Sequence, residues 1–184
     1  MKTYKKRKES VKMLEVNIYK EEDKKLFLDA VQTKLSASSV YMCIGTEKVF
    51  ADSLGPRVGT LLNEAMTRPV FVYGLCDCNI TAENLCRSYD FIKSMHPHSQ
   101  IVVIDAGVGA SEQLGKVQLC EDGILPGAAT NKNLPKVGDV GIVGIVAERG
   151  MADFYTLNSS KDRLVGEVAQ FIANAIIEAT RQAV

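Results

Sequence analysis

Short, almost wholly apolar runs alternating with helical stretches restrict what this chain can become. SVYMCIG (39–45), PVFVYG (69–74) and QIVVIDAG (100–107) read as buried strands. Between them, Val58, Leu61, Leu62 and Ala65 recur at helical spacing after the first run, and ITAENLCRSYDFIKSM (80–95) follows the second. Strands that are apolar throughout are buried on both faces, as in a parallel sheet, and parallel neighbours need a crossover helix. The alternation therefore predicts an α/β fold: a three-layer α/β/α sandwich with a mostly parallel sheet built from βαβ units.

The flanks extend this pattern. EEDKKLFLDAVQTKL (21–35) predicts a helix leading into the first strand. RLVGEVAQFIANAIIEATRQAV (163–184) predicts a closing helix, with Leu164, Val168, Phe171, Ile172, Ala175, Ile176 and Ala179 along one stripe. KVQLCED (116–122) alternates weakly, and VGIVGIVA (140–147) reads as another buried strand. Between these lies GILPGAATNKNLPKVGD (123–139), a Gly/Pro/Asn-rich loop whose length inside a compact domain points to function. Residues 1–20 are strongly charged without a clear period and read as a flexible N-terminal extension. Residues 21–184 then form a single α/β domain.

Composition narrows the setting. Twenty-two basic and 22 acidic residues give net charge zero, so there is no electrostatic case for a nucleic-acid partner. No segment approaches the roughly 20 apolar residues that span a bilayer. The basic start MKTYKKRKES is followed by charged residues rather than the apolar region of a secretory signal. Five cysteines, an odd number in a chain large enough to fold without disulfides, fit a reducing cytoplasm.

In an open doubly wound sheet, ligands bind beyond the carboxyl ends of the strands, where the strand order reverses. If the first three strands take the order 2-1-3, that point lies between the first and the third, and the sequence supplies an aspartate at each: Asp52 after the first and Asp105 at the end of the third. Two converging carboxylates can share a proton, one acting as base and the other as acid, or hold a divalent metal. The bland alternatives are a strand-end residue bonding a loop amide for Asp105 and helix capping for Asp52. Pro56 bears on the second. Its ring is tolerated only in the first helical turn, which favours Ser53 as the cap and leaves Asp52 just outside the helix.

Other patterns fail on inspection. Ala51-Asp52-Ser53-Leu54-Gly55 imitates a serine-hydrolase elbow, but His96 and His98 lie upstream of the third strand, at the opposite rim of the sheet. They read as a surface turn and lack a third metal ligand nearby in sequence. Cys76-Asp77-Cys78 is a lone CxC on the productive rim, a weak metal or redox signal. Gly107-Val108-Gly109 lacks the third glycine of a dinucleotide fingerprint.

CIGTEKVFADSLGPRVGTLL, VVIDAGVG and DGILPGAATNKNLPKVGDVGIVGIV together resemble the YyaC-type sporulation proteins of endospore-forming bacteria, over residues 38–180. Those proteins are similar in turn to the germination protease that degrades small acid-soluble spore proteins. The resemblance implies a phosphorylase/hydrolase-like α/β sandwich, shared with the hydrogenase-maturation endopeptidases, and residence in the forespore or mother-cell cytoplasm. In the germination protease, aspartates of a D-x-L-G-P and an I-D-A motif are the proposed catalytic pair; they match Asp52-Ser53-Leu54-Gly55-Pro56 and Ile104-Asp105-Ala106. Its D-x-G-I-x-P-G loop is similar to the segment from Gly123 to Gly127, which makes Gly123, Pro126 and Gly127 candidates for substrate binding.

Hydrogenase-maturation enzymes hold nickel with two acidic residues and a later histidine, and this chain has no histidine after His98. No cofactor is therefore expected, a divalent ion at Asp52 and Asp105 remaining the metal alternative. The chain is shorter than the germination protease, so substrate choice does not carry over. The expectation is a sporulation-associated endopeptidase acting on spore proteins, with a catalytically silent protein- or ligand-binding module of the same fold as the alternative.

Overall fold

The computed structural model describes residues 13–65, 70–127, 134–150 and 159–182. A six-stranded sheet forms the centre, built from β1 (Met13–Asn17), β2 (Val40–Cys43), β3 (Val72–Tyr73), β4 (Ile101–Gly109), β5 (Lys116–Cys120) and β6 (Val140–Glu148) in the order β1-β5-β6-β4-β2-β3. β3, β2, β4 and β6 run parallel; beyond β6, β5 pairs antiparallel with it and β1 pairs antiparallel with β5. The strands expected from the three apolar runs are β2, β3 and β4, and their observed order β3-β2-β4 is the 2-1-3 order that places a switch point between β2 and β4.

Among the described residues, four helices cover the sheet: α1 (Glu21–Lys34), α2 (Leu54–Ala65), α3 (Leu85–Met95) and α4 (Ser159–Gln182). Side-chain alternation along the strands divides the core. Tyr41 and Cys43 of β2 and Val102 and Ile104 of β4 pack with Phe27 and Val31 of α1, Leu54, Val58 and Leu62 of α2, and Val168, Ile172 and Ile176 of α4. Val40 and Met42, with Ile101 and Val103, face Leu85 and Ile92 of α3. Each such side chain, fully withdrawn from water, contributes about 1.5–3 kcal/mol before entropy is counted. The Phe27 and Phe171 rings stack at 5.0 Å and tie α1 to α4. No helix among the described residues is long and apolar enough to cross a membrane.

The flexible extension expected over residues 1–20 does not hold for Met13–Asn17. Met13–Asn17 form an edge strand paired to β5 from Met13↔Cys120 to Asn17↔Lys116, with Val16 only 1% exposed. Glu15 accepts hydrogen bonds from Lys116 (2.7 Å) and Gln118 (2.9 Å) across that pair. Charge on this strand's outer face is how an edge avoids further pairing, and the same charge hides the strand from a hydropathy reading. Residues 1–12 lie outside the described residues.

Candidate active site

β4 is longer than its neighbour β2, and that difference makes the crevice. Pairing between them runs from Val40↔Ile101 to Cys43↔Ile104, while β4 remains paired to β6 as far as Gly109↔Glu148. After Ile44, whose amide still bonds the Ile104 carbonyl (2.8 Å), the chain leaves β4 and crosses to the loop behind β3, where Gly45 donates to the Ile80 carbonyl at 2.7 Å. Asp105 is the first residue of β4 past this fork. It pairs with Val143 on the β6 side and is 7% exposed.

Burial is the main force on the Asp105 carboxyl, because a charge withdrawn from water is costly. Together with the nearby charge of Asp52 it pushes the Asp105 pKa up to about 8, against the opposing hydrogen bond from the Ala106 N–H (2.8 Å). The sequence alternative for Asp105, a strand-end carboxylate bonding a loop amide, is thus present only as this bond to its own neighbour. It does not outweigh burial.

Asp52 lies in a 3-10 turn, Ala51–Ser53, that runs directly into α2. Ser53 does not cap α2 as the sequence suggests. The backbone is already coiled at Phe50 (φ −54, ψ −56), so the Ser53 hydroxyl turns back and donates to the Phe50 carbonyl at 2.7 Å. Pro56 has no N–H to offer the Asp52 carbonyl four residues earlier. That carbonyl instead accepts the Thr46 N–H at 3.0 Å. Two glycines permit the close approach: a Cβ on Gly45 (φ +135) would lie 1.9 Å from the Asp52 carbonyl oxygen, and one on Gly55 would lie 2.1 Å from that of Ile44. The start of α2 is therefore pressed onto the end of β2, which carries Asp52 to the fork where Asp105 sits.

The loop candidates lie elsewhere. Gly123 (φ +61) donates to the Asp139 carbonyl, and Asp139 in turn bonds Ile101, the first residue of β4, so Gly123 occupies the rim opposite the two aspartates. Ile124 then turns onto the sheet face over Gly141, Pro126 is buried and Gly127 adopts φ +75. Residues 128–133 of the loop lie outside the described residues. Sequence reasoning missed Thr46 and Asn79, whose side chains bond each other at 3.0 Å across the mouth of the fork. Their signal was position alone: each is a polar residue in a loop at the carboxyl end of a strand.

The remaining motifs take structural places. His96 ends α3, with Nε2 2.8 Å from the Tyr73 hydroxyl and its ring 4.4 Å from that of Phe71. Cys76-Asp77-Cys78 forms a tight turn in which Cys78 bonds back to the Leu75 carbonyl, and burial pushes the Cys76 thiol up. All five cysteines are free. Gly107 and Gly109 are strand residues against Ile145 of β6, with no room for a nucleotide-binding turn. Among the described residues, no three His, Cys, Asp or Glu side chains gather as a metal site.

A mostly parallel six-stranded sheet with helices on both faces defines a protein of the three-layer α/β/α class. The fold is similar to that of the [NiFe] hydrogenase maturation protease HycI from Thermococcus kodakarensis KOD1, with a TM-score of 0.52 at 16% identity over 80% of this chain and 98% of that one. The chain belongs to the family described as "Protein of unknown function (DUF1256)", whose model matches residues 11–175. It is 32% identical over 154 residues to the "Uncharacterized protein YyaC" of Bacillus subtilis (strain 168), covering 79% of this chain and 75% of that protein. The family match begins at residue 11, just before β1.

Proposed function

We propose that this chain is a sporulation-associated endopeptidase of the bacterial cytoplasm, hydrolysing peptide bonds of spore proteins with Asp52 and Asp105 as a proton-sharing pair. The observation that carries this reading is the raised Asp105 carboxyl, held up by burial and by the charge of Asp52. Carboxylates whose environments push their pKa values apart divide into an acid and a base. The fold likeness to a maturation protease supports peptide hydrolysis as the reaction class.

Asp105 keeps its proton at neutral pH and is the acid. Asp52, half-buried beside the positive end of α2, is the base. Asp52 takes a proton from water as the water oxygen bonds the peptide carbon; Asp105 gives its proton to the leaving nitrogen as the carbon–nitrogen bond breaks. The pair then holds one proton on Asp52 rather than Asp105, and its transfer back restores the starting state. A resident nickel ion does not fit these residues. The two aspartates have no third ligand among the described residues, and His96 is committed to Tyr73 at the far end of α3.

The test is a comparison of protein N-termini in purified forespores of a wild-type, a deletion and an Asp105→Asn strain. New N-termini present only in the wild type support the peptidase. Identical sets in all three contradict it, and leave the crevice to a binding role.

A further inference from the structure

The Asp52 carbonyl is the weak point of the arrangement. In an uninterrupted helix it would accept the amide four residues ahead, and Pro56 removes that donor. Its partner comes from another loop, through the Thr46 N–H at 3.0 Å. Thr46 also organises the turn that leads to Asp52. Its Oγ1 accepts the Lys48 N–H (3.3 Å) and its carbonyl accepts the Val49 N–H (3.4 Å).

Thr46 is held in turn from the loop after β3. Its hydroxyl donates to Asn79 Oδ1 at 3.0 Å. Asn79 spends both amide hydrogens on its own loop, donating through Nδ2 to the carbonyls of Leu75 (2.8 Å) and Cys76 (3.1 Å). Its backbone carbonyl accepts Asn84 Nδ2 at 3.0 Å, and the adjacent Ile80 carbonyl takes the Gly45 N–H. A side-chain amide with all these partners has one orientation, so the Thr46 hydroxyl meets a fixed acceptor.

We propose that Asn79 is a positioning residue for the acidic pair, acting through Thr46 to hold the Asp52 backbone, and hence its carboxylate, against Asp105. The inference rests on the reading of Asp52 and Asp105 as a working pair, but its test does not require activity. Asp52 is the charged group that acts on Asp105, so Asp52→Asn defines the full size of their coupling.

The experiment is carboxyl titration of Asp105 by NMR in protein labelled with carbon-13 at aspartate. Thr46→Val and Asn79→Ala are each expected to lower the Asp105 midpoint toward that of Asp52→Asn, and Thr46→Ser to keep the wild-type value. Thr46→Val leaves every backbone donor in place and decides the matter if Asn79→Ala does not fold. A wild-type Asp105 midpoint in folded Thr46→Val protein overturns the proposal. A chain that titrates as expected yet cleaves nothing retracts the peptidase reading and keeps this one.

Discussion

Asp52, in the turn that opens α2, acts on Asp105, buried on β4, strongly enough that its charge ranks next to burial in raising the Asp105 carboxyl to about 8. A fold does not place two acidic groups together at its switch point without cost, because like charges in a poorly solvated site repel. The consequences are measurable without knowing the substrate.

The first concerns pH and stability. Asp105 binds its proton more tightly folded than unfolded, so the stabilisation is fully present below the ordinary carboxylate range and is lost as pH rises toward about 8. Urea midpoints of the wild type should fall between pH 5 and 9 more steeply than those of Asp105→Asn. Asp52→Asn should raise stability at pH 8 to 9 by removing the like charge, each pKa unit relieved being worth roughly 1.4 kcal/mol. Parallel profiles for wild type and Asp105→Asn would show that Asp105 is not held protonated.

The second concerns two glycines on helices. Gly55→Ala puts a methyl 2.1 Å from the Ile44 carbonyl oxygen, against rigid backbone, and should cost about 1–3 kcal/mol or more while lifting Asp52 from the fork. Gly166→Ala on α4 meets nothing nearer than Arg57 at 4.0 Å and should stabilise by about 0.5–1 kcal/mol. Thermal melts of the two variants should move in opposite directions; a neutral Gly55→Ala would mean that α2 is not pressed onto β2.

The third concerns the thiols. Burial pushes the Cys43 thiol far up, whereas Cys78 and Cys86 are exposed. Iodoacetamide followed by mass spectrometry should label Cys78 and Cys86 in the native protein and reach Cys43 only after unfolding. Early labelling of Cys43 would contradict the packing of β2 beneath α2.

Much of this was legible in the sequence. The runs that became β2, β4 and β6 are apolar enough to announce a buried parallel sheet, and the topological rule then led from strand order to Asp52 and Asp105. β1 was not legible, because MLEVN contributes a single fully buried side chain and owes its conformation to pairing with β5. Ser53 looked like a cap because Pro56 sets the position of the first helical turn, yet a 3-10 turn placed before α2 moved the start of the coil back to Phe50. The similarity of the segment from Gly123 to Gly127 to a substrate loop did not reveal that Gly123 sits at the far rim, since only the chain path through Asp139 to Ile101 shows it. Thr46 stands inside a quoted stretch but outside its D-x-L-G-P motif, and Asn79 lies outside all three stretches; their importance arises from two loops meeting in space.

The most direct measurement is cleavage of acid-soluble spore-protein extract by the purified protein, followed by mass spectrometry, for wild type, Asp52→Asn and Asp105→Asn, with and without EDTA. New fragments are expected from the wild type, unchanged by the chelator, with a loss of about 100-fold or more in each variant while both stay folded. Fragments formed equally by either folded variant would contradict the acidic pair as the catalytic centre.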